Sequence, residues 1–566
     1  MPVSVRNSSS PIALTTALAF TALAVAAATP HIFSSEANAA AAKKCSALTG
    51  VEIAAGTVGL PTGGATVSSA VPASAGGGGE HAYGAHCLVS GDIRPVDPAA
   101  PNIKFQLALP EQWNGKATML GGAGLNGSIP PLTNASNLWG SQRKPLPLSR
   151  GYAVFSSDSG HQNKNGEHPA AFGSNQESLK NYAGDALKKT RDVAVKLIHS
   201  RYGRAPVKSY FLGYSKGGGE ALAVAQRWPA DWDGVVAGAP GWNVTAVALG
   251  MLNVAQAVAV PGAWLNEAER HTLHAGVMET CDALDGAEDG IIGNPRSCEA
   301  RFVPATVRCP RGEDTGDDCL SDVQLAALER INAPKSLSYV IGTGESSIPG
   351  YPVYLADHGG GVPDAVHKGL LTQVGVYGST PPAFPPTPQM ALGVSLADGV
   401  IRHMIVGDPN FNTLAMDVAS GSGMASRIEA HSGLFSNITD LSPFQARGGK
   451  LLLWTGSAEP AARTSMHYYS RVQATMGPAR VDSFVRYYEV PGAQHGPSST
   501  FQPEWDQLAT IENWVEKGTD PANNIVATDD AGAPGRTRPL CMFPGWPKYK
   551  GSGDVDNAES FTCASR

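Results

Sequence analysis

Three residues far apart in the chain could together activate a hydroxyl group. Gly213-Tyr-Ser215-Lys-Gly217 matches Gly-x-Ser-x-Gly, in which small residues let a sharp turn lift a serine clear of its neighbours. A serine hydroxyl is a poor nucleophile until a base takes its proton. His495, in Pro491-Gly-Ala-Gln-His495-Gly-Pro497, is the last histidine in the chain and the candidate base. Glu459, in Thr455-Gly-Ser-Ala-Glu459-Pro, is the candidate carboxylate to accept the Nδ1–H of that histidine and stabilise its imidazolium form. Acyl transfer by such a set also needs two backbone N–H groups aimed at the developing oxyanion. The residue after the serine, Lys216, is one candidate, and Gly124 in Gly121-Gly-Ala-Gly124 is the other.

A second cluster has different chemistry. Asp282-Ala-Leu-Asp285-Gly-Ala287-Glu-Asp289-Gly-Ile291 places acids at short spacing around two glycines, with Cys281 and Cys298 on either side. Hard oxygen donors on a turning backbone suit Ca²⁺. The bidentate glutamate that closes an EF-hand is missing, and a solvated acidic loop is the alternative.

The chemistry requires elements that hold these residues. Residues 104–109, 117–120, 152–156, 207–212 and 234–238 read as strands, and residues 178–201 and 219–227 as helices. The Gly-x-Ser-x-Gly turn lies between a strand and a helix. From about residue 245 to 440 the chain reads as loop-rich, with four cysteines, the acidic cluster and the proline-rich stretch 381–386. Strands at 450–454 and 485–490, with helices at 464–476 and 505–517, then restore the alternation. Such alternation implies a largely parallel sheet with helices on both faces. The prediction is an α/β class chain: a doubly wound α/β-hydrolase sheet, residues 40–245 and 441–566, split by a large inserted lid domain over residues 246–440.

The chain has 566 residues, 42% of them hydrophobic and 16% charged, as expected of a globular protein. The formal net charge is -7 and no basic run stands out, which argues against a nucleic-acid partner. Arg6, an apolar run at 12–28 and Ala37-Asn-Ala39 read as a cleaved signal peptide over residues 1–39, and no second apolar segment is long enough for a membrane span. The expected location is therefore periplasmic or secreted. Cys45, Cys87, Cys281, Cys298, Cys309, Cys319, Cys541 and Cys563 are even in number and lie outside that leader, so four bridges are expected, with the connectivity open at this level. No Cys-x-x-Cys spacing points to zinc. Oligomeric state leaves no trace in the sequence.

Several motifs in order carry a resemblance to a known family. They are Asp158-Ser-Gly-His161, Ser209-Tyr-Phe-Leu-Gly-Tyr-Ser215-Lys-Gly-Gly218, Trp232-Asp-Gly-Val-Val-Ala-Gly-Ala-Pro240, Cys281-Asp-Ala-Leu-Asp-Gly-Ala-Glu-Asp-Gly290, Asp440-Leu-Ser-Pro-Phe444, Gly448-Gly-Lys450, Arg538-Pro-Leu-Cys541 and Phe561-Thr-Cys563. Together they resemble the tannase and feruloyl esterase family, which includes mono(2-hydroxyethyl) terephthalate hydrolase. The resemblance implies hydrolysis of small-molecule esters of aromatic, phenolic acids, and a lid that carries most substrate contacts. It also implies structural Ca²⁺ held by side chains of Asp282, Asp285 and Asp289 and by the carbonyls of Ala287 and Ile291. Further, it implies the pairs Cys45–Cys87, Cys281–Cys298, Cys309–Cys319 and Cys541–Cys563.

The chain departs from the family pattern in four places. A cysteine pair usually joins the residue before the serine to the residue after the histidine; here these are Tyr214 and Gly496. The usual acid is Asp, here Glu459, and the usual Arg after two glycines is Gly219. Two other function classes compete with ester hydrolysis. One is a calcium-stabilised binding protein on an inactive hydrolase scaffold; the other is a peptidase or acyltransferase using the same three residues.

Overall fold

Residues 208–214, Lys-Ser-Tyr-Phe-Leu-Gly-Tyr, carry an almost unbroken apolar run, the pattern of a strand covered on both faces. In the computed structural model they are the seventh strand in chain order and sit within a ten-stranded sheet. The strands are β1 (Glu52–Ile53), β2 (Ala65–Ala73), β3 (His86–Ile93), β4 (Ile103–Pro110), β5 (Lys116–Leu120), β6 (Ala153–Ser157), β7 (Lys208–Tyr214) and β8 (Gly234–Gly238). After a hairpin, β9 (Lys335–Ile341) and β10 (Glu345–Ile348), β11 (Lys450–Gly456) and β12 (Val485–Val490) complete it, in the order β1-β2-β3-β4-β6-β5-β7-β8-β11-β12. The structure describes residue 1 and residues 43–565 apart from 343, 357–377, 388, 436–437 and 460–461. Residues 2–39 of the expected signal peptide lie outside the described residues.

The sheet has two characters. From β6 to β12 neighbouring strands run parallel, whereas β1 to β4 pair antiparallel and β4 joins β6 antiparallel. In the parallel half, Tyr214 lies opposite Gly238, Gly238 opposite Trp454, and Trp454 opposite Tyr488. One row therefore marks the carboxyl ends of four strands, and the loops beyond it carry Ser215, Glu459 and His495. Crevices at that edge are where ligands of α/β sheets bind. The fold class is the α/β-hydrolase type anticipated from the alternation of elements.

Two local expectations need correction. The helix expected over 178–201 is broken: Gln176–Lys180 is followed by a wider π turn, Asn181–Asp185, before Ala186–Tyr202 resumes. Gly184 makes this possible, since its φ is 137° and a Cβ there would stand 2.7 Å from Arg227 Nη1. The segment between β8 and β11 is also far less irregular than its glycine and proline content suggests. It contains helices Val244–Val258, Glu267–Cys281, Asp322–Asn332 and Leu392–Gly399 besides the β9–β10 hairpin. Val244–Val258 is buried nearly all round, so it shows no single apolar stripe at helical spacing. Glu267–Cys281 and Asp322–Asn332 start on reciprocal capping boxes, Asn266 with Glu269 and Ser321 with Gln324.

Candidate active site

β7 delivers the chain to Ser215, whose backbone is held at φ 60°, ψ −123°, between the strand and the helix Lys216–Arg227. Residues with a side chain avoid this region, so the surrounding packing must impose it. The glycines show how. A Cβ on Gly213 would lie 2.0 Å from the carbonyl oxygen of Gly217, and one on Gly217 would lie 2.8 Å from that of Gly122. At Gly219, the position that departs from the family pattern, a Cβ would stand 2.5 Å from the Gly241 oxygen. The start of the helix therefore rests directly on neighbouring backbone.

The loops after β11 and β12 bring two more side chains to the serine. His495 Nε2 stands 2.8 Å from Ser215 Oγ, across 280 residues of sequence. His495 Nδ1 stands 3.0 Å from Glu459 Oε2. These distances suit a tautomer in which Nδ1–H donates to the carboxylate and Nε2 accepts the serine proton. Glu459 is fully buried; burial pushes its carboxyl above the usual range, and the His495 contact opposes that rise. The two loops also bond to each other, with Ser457 N donating to Val490 O (2.9 Å), Ala458 N to Ala493 O (3.2 Å) and Gly492 N to Ser457 Oγ (3.2 Å).

Gly124 and Lys216 line the same cavity as Ser215 and His495, a space of about 160 Å³. Lys216 is the first residue of its helix, where backbone N–H groups have no helical acceptor. Its side chain turns inward, donating from Nζ to Tyr182 O (3.0 Å) and Glu220 Oε1 (2.8 Å). Gly124 takes a φ of 53°, and its carbonyl accepts from Tyr182 Oη at 3.2 Å. The remaining wall is largely apolar, with Leu125, Val247, Met251 and Leu396 among its members. Tyr182 and Glu220 were not singled out from the sequence. Glu220 alone left a trace there, as the only acid in the Lys216–Arg227 helix, four residues after Lys216.

Tyr214 occupies one of the two positions where the family usually has cysteine. Its ring is buried and lies 5.1 Å from the His495 ring, 5.5 Å from Trp454 and 5.7 Å from Trp139, centre to centre. Its hydroxyl accepts from Gly496 N at 3.0 Å and donates to Gln494 O at 3.4 Å. Gly496 takes a φ of 107°, which favours glycine. The hydroxyl of the residue before the serine thus grips the backbone on both sides of the histidine.

The acidic cluster lies in another part of the chain. Asp282 Oδ1 accepts from Gly290 N (3.0 Å) and Asp289 N (3.3 Å), Asp285 Oδ1 from Ala287 N (2.9 Å), and Asp289 Oδ1 from Ile291 N (2.9 Å). Arg538 forms an ion pair with Asp289 Oδ2. Burial, reinforced by the neighbouring Asp289 and Asp282 charges, pushes the Asp285 carboxyl up to about 7. Among the described residues, no three His, Cys, Asp or Glu side chains converge into a group able to hold a metal by themselves. Hard oxygen donors suit a hard cation, and the resemblance adds the backbone carbonyls of Ala287 and Ile291, which lie in the same loop. Four bridges are present: Cys45–Cys87, Cys281–Cys298, Cys309–Cys319 and Cys541–Cys563.

Residues 87–564 match the family described as tannase and feruloyl esterase. An uncharacterized esterase of Agrobacterium fabrum is 36% identical over 539 residues, covering 93% of each chain. Mono(2-hydroxyethyl) terephthalate hydrolase of Piscinibacter sakaiensis is 32% identical over 533 residues, covering 85% of each. Among solved structures, feruloyl esterase B from Aspergillus oryzae superposes with a TM-score of 0.70 at 23% identity, covering 88% of this chain and 97% of its own.

Proposed function

The chain belongs to the tannase and feruloyl esterase family of carboxylic ester hydrolases, and from that premise we propose that it cleaves esters of aromatic, phenolic acids through an acyl-enzyme on Ser215. The observation that carries this reading is the continuous contact Ser215 Oγ, His495 Nε2, His495 Nδ1, Glu459 Oε2, at 2.8 Å and 3.0 Å. His495 takes the hydroxyl proton as Ser215 Oγ bonds to the ester carbonyl carbon. The backbone N–H groups of Lys216 and Gly124 receive the carbonyl oxygen as it becomes an oxyanion. The histidine then protonates the departing alcohol. It next takes a proton from water, whose oxygen attacks the acyl carbon, and returns that proton to Ser215 Oγ as the Oγ–acyl bond breaks and the acid leaves. Glu459 stays ionised and stabilises the imidazolium through both halves of the cycle.

The apolar wall of the cavity supports an acyl group with a large flat or aliphatic face. Val247, Met251 and Leu396, from the segment between β8 and β11, are part of that wall, which supports assigning residues 246–440 the role of a lid that contacts substrate. Ca²⁺ is assigned to the loop of Asp282, Asp285, Ala287, Asp289 and Ile291, where it would offset buried negative charge and stiffen the backbone between Cys281 and Cys298. A periplasmic or secreted location is in keeping with four disulfides, and none of the described helices is long and apolar enough to cross a membrane.

The test is a purified-enzyme screen against gallate, ferulate, terephthalate and short aliphatic esters, paired with labelling by a fluorophosphonate. Labelling at Ser215 with preferred turnover of aromatic-acid esters is expected. Preferred turnover of aliphatic esters would overturn the acyl assignment, and absence of labelling would overturn the serine mechanism.

A further inference from the structure

Resting on the assignment of Ser215 and its two oxyanion donors, we propose that Glu220 is a positioning residue that sets the oxyanion loop against the nucleophile helix. Glu220 is only 2% exposed, and a buried carboxylate persists only where it is paired and hydrogen-bonded. Lys216 Nζ, 2.8 Å from Oε1, supplies the opposite charge. An ion pair alone would need only one carboxylate oxygen and would not involve the loop after β5. Here Oε2 accepts from Gly122 N at 2.8 Å, and Oε1 accepts also from Asn126 Nδ2 at 2.9 Å.

Gly122 and Asn126 bracket Gly124 at equal distance in sequence, so one carboxylate grips both sides of the proposed donor. The loop is wrapped tightly around this grip. Asn126 takes a φ of 54°, and a Cβ on Gly122 would stand 2.2 Å from its amide nitrogen. A further link closes the ring: Lys216 Nζ donates to Tyr182 O, and Tyr182 Oη donates to Gly124 O. The first proposed donor, Lys216 N–H, begins the helix that carries Glu220, and the second belongs to the loop that Glu220 holds. Their separation is therefore set by this carboxylate. Donors must sit within a few tenths of an ångström of the oxyanion, and a misplacement of about 1 Å can cost about 100-fold in rate.

Glu220→Gln keeps the volume but leaves one oxygen to serve three donors. The experiment compares kcat and KM of wild type, Glu220→Gln and Asn126→Ala on a carboxylic ester and on its thionoester, whose sulfur draws little from an oxyanion site. For Glu220→Gln, ester kcat is expected to fall about 10- to 100-fold with KM within about threefold, and thionoester kcat by no more than about threefold. Asn126→Ala, which removes one hold and keeps the charge pair, should show the same selective loss at smaller size. It carries the test if Glu220→Gln does not fold. Equal losses on both substrates, or no loss on the ester, would overturn the positioning role. Wild type that turns over no ester and resists fluorophosphonate would remove the Ser215 assignment itself, a result distinct from either.

Discussion

Four disulfides hold regions away from the Ser215 cavity, while the cavity itself is held together without one. Cys45–Cys87 ties the first described turn to β3, Cys281–Cys298 spans the acidic loop, Cys309–Cys319 closes a short loop, and Cys541–Cys563 joins two segments near the C-terminus. No cysteine is among the residues lining the Ser215 cavity. There the serine turn and the histidine loop meet through the Tyr214 ring, its hydroxyl and backbone hydrogen bonds. The difference follows from what each region needs. A disulfide stabilises mainly by restricting the unfolded chain. The proposed catalytic geometry needs native-state placement, and here a buried ring and its hydrogen-bonded hydroxyl hold the two loops.

Removing the reacting groups should have the largest effect. Ser215→Ala and His495→Ala are each expected to lower kcat by about 10⁴- to 10⁶-fold while the melting curve stays near that of wild type. Near-normal turnover in either variant would dismiss the centre described here. Next comes the device that stands in for a bridge. Tyr214→Ala should lower the melting temperature and reduce kcat by about 10- to 100-fold, because both the packing and the grip on Gly496 are lost. Tyr214→Phe keeps the ring and should show a smaller loss; wild-type behaviour of Tyr214→Ala would mean that the ring does not brace the two loops.

The disulfide-bonded regions are tested from the other side. Mild reductant should lower the melting temperature but leave kcat within about twofold while the protein remains folded, since no bridge borders the cavity. Loss of activity in reduced, folded protein would place a cysteine pair in the catalytic geometry after all. The smallest expected effect on activity is from the acidic loop. Chelation of Ca²⁺, or Asp285→Ala, should lower the melting temperature with little change in kcat. An unchanged melting temperature after complete metal removal would refute the calcium assignment.

The parallel half of the sheet was legible because strands buried on both faces are nearly continuous apolar runs bounded by turns, as in 234–238 and 451–454. The antiparallel half was not fully so: β2 and β3 interleave buried with half-buried or exposed positions, with serine in both strands and glycine and aspartate in β3, and a glycine-rich stretch lies between them. The broken helix at 181–185 was hidden for a different reason. A lone glycine is tolerated in a helical pattern at a cost of about 1 kcal/mol, and only the structure shows the φ of 137° at Gly184 and the Arg227 side chain that a Cβ there would meet. At the site, the order of strand, turn and helix placed Ser215, Glu459 and His495 on neighbouring loops, and the structure brings their side chains together. Glu220 was not legible, because its partners Gly122 and Asn126 lie 98 and 94 residues away.

By itself the sequence determined the order of chemical groups along the chain, the turn that must lift Ser215, the family and the even set of cysteines. These are local patterns or recurring motifs, and local sterics and composition are enough to write them. Tertiary structure alone decided that His495 Nε2 comes within 2.8 Å of Ser215 Oγ, that Tyr214 grips Gly496, and that Glu220 faces the loop around Gly124. Such contacts depend on strand register and on backbones that approach more closely than a Cβ would allow. Both are properties of the whole packed sheet, so no short window of residues contains them.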